Sequence, residues 1–142
     1  MTLRQEDKDA LVMYRLQRAN ETMAEVKGTM QLGYWRIAAN RLYYACYYAT
    51  CALLIKNDIT AHTHSGVINQ LGLHFVSKGI ISKDQSKLIK HLFELRQDGD
   101  YSDWITVEEK DIKSYVEPAE QFIKTIEQLI LNTQTINEHT NP

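Results

Sequence analysis

The sequence predicts an all-α fold, an up-and-down bundle of four to five helices, and three observations carry that expectation. Of the two Pro among 142 residues, only Pro118 lies inside the chain; the other is the last residue. No β-branched alternating run stands between turn clusters, as strands require. Apolar residues instead recur three and four apart, the interval that builds one face of a helix. Folding a chain of this length removes roughly 68% of its accessible area from water, enough for one core without disulfides or metals. Residues 1–131 are therefore expected to form a single helical domain. Residues 132–142 have little to bury and are expected to be a frayed polar tail.

The elements follow in order. A first helix is expected from Glu6 to Lys27, with Leu11, Tyr14, Met23 and Val26 among its apolar positions, ending near Gly28; Gly28 to Gly33 is a connection. A second, from Tyr34 to Asn57, is apolar nearly all round. At about 100° per residue, Ile37, Arg41, Tyr44, Tyr48, Cys51 and Ile55 share one face, and Leu42, Ala49 and Leu53 cover the opposite one. Such a helix is central in a bundle or buries its second face against another subunit, and a symmetric homodimer is the commonest such solution. Asp58 to Thr63 connects to a third helix, His64 to Lys78, with Thr63 or His64 as its cap and Gly79 as its end. Ser82 or Lys83 precedes a fourth, with Leu88, Leu92 and Leu95 inward, finishing near Asp98 and Gly99; Asp100 to Ile105 is then a polar turn. Thr106, followed by Glu108 and Glu109, starts a last helix or helix pair from Val107 to Leu131, which Pro118 kinks or reopens at a first-turn position.

Charge and composition narrow the function. A net charge of −2 argues against a generic polyanion binder. The average hides a division: residues 1–90 carry twelve Lys/Arg and seven Asp/Glu, residues 91–142 four and eleven, so a basic face is compatible with the total. Cys46 and Cys51 are five apart on a helix, beyond disulfide reach, and are expected as reduced core thiols. The start of the chain lacks a charged segment followed by an apolar one, and the richest apolar stretch, Leu42 to Ile55, is too short to cross a bilayer. A cytoplasmic protein with no membrane partner is the expectation.

Glycine-rich phosphate loops, HExxH, CxxC and GxSxG are all absent. His62 and His64 stand two apart in a connection, a poor spacing for a metal, so neither metal nor cofactor is expected. What remains is a polar set among apolar residues. Arg41 sits on the second helix's apolar face, and burying a guanidinium alone costs several kcal/mol, so it needs an acid. Arg96 and Asp100, four apart, can pair on one helical face, and the Arg96 to Tyr101 segment is the expected source of Arg41's counter-charge. These residues fit a structural ion-pair network, or an anion or RNA pocket built on Arg41 and Arg96. Tyr43, Tyr44, Tyr47 and Tyr48 fit base stacking, or packing in a core or dimer interface.

Three blocks carry a family resemblance: Asn40-Arg41-Leu42-Tyr43-Tyr44-Ala45-Cys46-Tyr47-Tyr48-Ala49; His64-Ser65-Gly66-Val67-Ile68 with His74-Phe75-Val76; and Leu95-Arg96-Gln97-Asp98-Gly99-Asp100-Tyr101. In that order they resemble the bacterial HEPN (higher eukaryotes and prokaryotes nucleotide-binding) family over roughly residues 8–130. The resemblance implies a dimerising helical bundle, often encoded beside a small nucleotidyltransferase as a toxin and antitoxin pair. It also implies, for active members, metal-independent RNA cleavage by an Arg-x4–6-His motif facing a dimer cleft. Arg96 matches the motif's Arg, but Tyr101, Ser102 and Asp103 occupy the positions where the His belongs, and the next His is His139. A carboxylate such as Asp100 or Asp103 is a weak proton acceptor at neutral pH and so a poor general base. The expected function is a non-catalytic or divergent module in which Arg41, Tyr44, Tyr48 and Arg96 hold nucleotide or RNA. The alternatives are an endoribonuclease using Arg96 with Asp100 or Tyr101, and a purely structural interaction protein. By analogy with the family, Tyr101 is also a candidate for modification by a partner nucleotidyltransferase.

Overall fold

A computed structural model describes residues 3–140, with side chains described for residues 3–132. It is all-helical, and the described residues contain no strand. Helix α1 spans Gln5–Gln31, α2 Trp35–Lys56, α3 His64–Leu71, α4 Lys83–Tyr101, α5 Glu109–Lys113 and α6 Val116–Thr140; α3 runs on into a single π turn, Gly72–Val76. The tail assigned to residues 132–142 lies largely outside the described side chains, while the backbone is helical to Thr140.

Helix α1 buries Val12, Leu16, Ala19, Met23 and Val26, a stripe at intervals of three and four. It passes Gly28, the expected end, by almost a turn. The reversal falls at Gly33, whose φ of 73° lies in the left-handed region that glycine enters without a Cβ clash. There Gly33 N–H donates to the Met30 carbonyl at 3.0 Å and Tyr34 N–H to that of Thr29 at 2.9 Å, a Schellman closure that satisfies the last carbonyls. The same pair of bonds closes α2 around Asp58 (φ 59°) and the π turn around Gly79 (φ 73°).

Helix α2 is the axis of the fold and contacts α1, α3, α4, α5 and α6. Leu42, Ala49 and Leu53 are buried by these neighbours, so of the two arrangements expected for this helix, the central place in the bundle is the one seen. Its alanines, Ala38, Ala39, Ala45, Ala49 and Ala52, are buried and let neighbouring backbones approach closely. The other face, carrying Arg41, Tyr44, Tyr48 and Cys51, is half-open rather than the most buried one. Cys46 is buried and both cysteines are free thiols.

Thr63 caps α3, its Oγ1 accepting from Gly66 N–H at 2.9 Å. Ser82 and Gln85 close a reciprocal capping box on α4. Helix α4 does not stop at Asp98 and Gly99, the expected end, but runs on through Asp100 and Tyr101. Gly99 serves close approach instead of termination: a Cβ there would meet Val107 Cγ2 at 3.2 Å and Arg36 Cγ at 3.4 Å. The last segment is a helix pair, with Glu108 rather than Thr106 capping α5 and Pro118 in the first turn of α6. Among the described residues, no helix is long and apolar enough to cross a membrane.

Candidate functional site

The last turn of α4 lies against the first half of α2, and the start of α3 closes the same corner. Asn40, Tyr43, Tyr44 and Tyr47 recur at the three-and-four interval, so α2 presents them together. Leu88, Ile89 and Leu92 bury one side of α4, and that stripe continues into Arg96. The packing that seats α4 therefore carries a guanidinium into the protein.

Arg96 is only 6% exposed. Its guanidinium carbon lies 5.4 Å from the ring centres of Tyr43 and Tyr44, 5.9 Å from Phe93 and 5.7 Å from Tyr101. Aromatic faces attract a cation through their quadrupoles, which offsets part of the lost hydration. Its polar partners are loose. Nη1 stands 3.9 Å from Asp100 Oδ2 and 3.4 Å from the Tyr101 hydroxyl, and Nε is buried with no hydrogen-bond partner among the described residues. A charge-assisted bond of normal strength is about 2.7–2.9 Å, so this cation holds unused donor capacity.

Asn40 connects the two arginines. Its Nδ2 donates to Asp100 Oδ2 at 3.0 Å, and its Oδ1 accepts from Arg41 Nη2 at 2.7 Å and Nε at 3.1 Å. An amide offers a donor on one side and an acceptor on the other, so it joins a carboxylate to a guanidinium without adding charge. Arg41 also packs 5.4 Å from the Tyr44 ring centre and faces Glu25 of α1 at 3.9 Å. The counter-charge expected for Arg41 from the Arg96 to Tyr101 segment is thus supplied by Glu25, and Asp100 reaches Arg41 only through Asn40. The reason is directional: Arg41 sits on the α1 side of α2, whereas Asp100 arrives from α4.

His64 completes the corner. Its Nδ1 is 2.8 Å from the Tyr43 hydroxyl, and its ring stacks on Tyr47 at 4.4 Å. Tyr43 is fully buried, and among the described residues Nδ1 is the acceptor within reach of its O–H, so we assign the phenol as donor and the imidazole proton to Nε2. Burial, and secondarily the charge of Arg96, holds the His64 imidazole below its ordinary range. Burial likewise raises the Tyr43 phenol and pushes Tyr47 up to about 12, so both remain protonated at neutral pH. In this arrangement His64 is a neutral N–H donor, not a base with a free lone pair.

Of the residues expected at the site, Arg41, Tyr44, Arg96, Asp100 and Tyr101 come together. Tyr101 lies in the last turn of α4 rather than in a loop and is 75% exposed. Tyr48 does not reach Arg96: it stands one turn further along α2, its ring 5.8 Å from that of Tyr44. Sequence reasoning names Tyr43 only among the tyrosines that fit stacking or packing, and misses Asn40 and His64 as members of the site. The helical spacing of Asn40 with Tyr43 and Tyr44 is a usable signal, whereas the approach of His64 depends on the turn before α3. Among the described residues, no group of three or more His, Cys, Asp or Glu could hold a metal ion. The chemistry on offer is anion binding by guanidinium and imidazole N–H groups beside aromatic faces.

Comparison with known proteins adds three findings. A family model described as HEPN domain matches residues 12–129. A "UPF0332 protein" of Thermotoga maritima is 33% identical over 124 residues, covering 87% of this chain and 94% of its own, and "Putative toxin MJ0605" of Methanocaldococcus jannaschii is 30% identical over 112 residues, covering 79% and 83%. The crystal structure of TT1696 from Thermus thermophilus superposes with a TM-score of 0.71 at 16% identity, over 82% of this chain and 96% of that one, which establishes likeness of fold.

Proposed function

The chain belongs to the HEPN domain family, and from that premise we propose that it is an RNA- or nucleotide-associated module of a toxin–antitoxin-type system, with phosphate held at Arg96. The single observation that carries this reading is the Arg96 side chain, brought into the protein with its Nε unpartnered among the described residues and its carboxylate 3.9 Å away. Neither of the Arg96 contacts to Asp100 and Tyr101 has the length of a charge-assisted hydrogen bond. A phosphate oxygen supplies the short acceptor that Asp100 does not. The relative named as a toxin supports the biological setting. A homodimer in the cytoplasm, partnered by a nucleotidyltransferase, follows from the family resemblance as part of the same proposal.

In this reading the module holds RNA without cleaving it. The position of the motif's His is taken by non-basic residues, His64 presents a proton rather than a lone pair, and Asp100 Oδ2 is engaged by Asn40. A second reading, an endoribonuclease using Arg96 with Asp100 or Tyr101, is favoured by the Tyr101 hydroxyl lying 3.4 Å from Arg96 Nη1. Incubating purified protein with single-stranded RNA in chelator, alongside thermal-shift titration with nucleotides, separates the two. Binding raises the unfolding temperature as ligand exceeds its dissociation constant, and intact RNA at high protein concentration is expected. Cleavage that Arg96→Gln abolishes establishes the enzyme; no shift with any nucleotide or RNA overturns both readings and leaves an interaction protein.

A further inference from the structure

Beyond Arg96, the half-open face of α2 carries a second set of cations. Arg15 and Arg18 of α1 lean over the Tyr48 ring, with guanidinium carbons 6.0 and 5.4 Å from its centre, and Arg41 lies at 5.4 Å from Tyr44. Among the described residues Arg15 makes no ion pair, and its Nε, like that of Arg96, is buried without a partner. Arg18 is hydrogen-bonded to the Tyr48 side chain and meets Glu21 at 3.6 Å, and Arg41 meets Glu25 at 3.9 Å beside its bonds to Asn40. Tyr44 and Tyr48 are four residues apart, about 6 Å along the helix, against a rise of about 3.4 Å per nucleotide along the axis of a stacked strand. The two rings are thus separated by about two nucleotide steps.

We propose that Tyr44 and Tyr48, flanked by Arg41 on one side and by Arg15 and Arg18 on the other, form a track for single-stranded RNA running on from the phosphate site at Arg96. The proposal rests on the RNA reading above and specifies its substrate as unpaired strand longer than a mononucleotide. Unpaired bases stack on tyrosine faces while guanidiniums track the backbone, and this pairing tolerates any sequence because every base has a π-face. A second copy of the chain is the other candidate occupant. Self-docking would offer these arginines the carboxylates of Glu21, Glu25 and Asp100, each already engaged in its own chain, so one ion pair would replace another. An RNA strand brings new acceptors.

The test is fluorescence anisotropy with labelled uridine monophosphate, oligouridylates of increasing length and a duplex of equal length, on the wild type and on Arg15→Gln/Arg18→Gln. Circular dichroism confirms that the variant is folded. Affinity is expected to rise with length until the track is filled. The double variant is expected to lose about tenfold on oligouridylate and nothing on the monophosphate, with a salt slope shallower by about 0.7 for each phosphate no longer neutralised. Tyr48→Leu is expected to lose a similar factor, and Tyr48→Phe to retain binding. Oligouridylate bound equally by wild type and double variant, or duplex bound as tightly as single strand, overturns the track while leaving Arg96 as a phosphate site. If instead the double variant changes sedimentation mass with RNA affinity intact, the face joins two copies and the proposal is wrong. Failure of both monophosphate and oligomer to bind wild type removes the phosphate reading, and the track with it.

Discussion

Replacing Arg96 by Met asks whether this side chain holds the fold together or is held by it. Met fills a similar volume and leaves the four aromatic neighbours in place. Loss of the guanidinium removes cation–π contacts of about 0.5–1 kcal/mol each, more where water is excluded. Against that, it relieves a desolvation penalty of several kcal/mol and an unpartnered buried N–H costing about 1–3 kcal/mol. The opposing contributions are of similar size, so stability is expected to change by less than about 2 kcal/mol in either direction. Asp100, left without its cation, keeps the 3.0 Å bond from Asn40 and partial access to solvent. Urea unfolding monitored by circular dichroism measures the change, and monophosphate binding, expected to disappear, is measured in parallel. A loss of more than about 3 kcal/mol, or about 10 °C in unfolding temperature for a chain of this size, would show that Arg96 is a structural ion-pair member. The phosphate reading would then lose its central argument.

The neighbouring histidine makes stability depend on pH. The folded His64 imidazole lies below its ordinary range, so in mild acid the unfolded chain binds a proton that the native one refuses. This contribution to stability is complete above the unfolded pKa of about 6.5, and it falls as the pH drops toward the folded value; urea midpoints measured across that interval are expected to follow it. Tyr43→Phe removes the bond that keeps Nδ1 an acceptor, at about 1 kcal/mol. His64 is then expected to titrate at higher pH, as read by nitrogen-15 NMR, and an unchanged titration contradicts the assigned tautomer. At the start of α3, Thr63→Ala removes the acceptor for Gly66 N–H and is expected to destabilise the protein by about 1 kcal/mol in urea unfolding. No change there would mean that solvent replaces the cap at no loss.

Much of the fold is legible in the chain alone, because helix type follows from local periodicity. The caps at Thr63 and Ser82 and the restart at Pro118 need only residues within one turn of each other. Two of the boundaries that differ are places where a glycine reads as a stop. Gly28 has nothing within 4 Å of where its Cβ would stand, so it simply continues α1, whereas Gly99 lies against Val107 and Arg36 and lets α4 run on beneath them. A glycine reports conformational freedom, but whether the chain uses that freedom for a turn or for close approach depends on what packs there.

Local pattern and motif order account for the helices, the central place of α2, the pairing of Arg96 with Asp100 and the family, because each rests on residues near in the chain or on their succession along it. Packing settles the rest: Glu25 rather than Asp100 faces Arg41, Asn40 bridges the two charges, and His64 turns its Nδ1 to Tyr43. Those outcomes depend on the angles at which α1, α3 and α4 meet α2, and such angles are set by the summed fit of many side chains, with no local pattern to announce them.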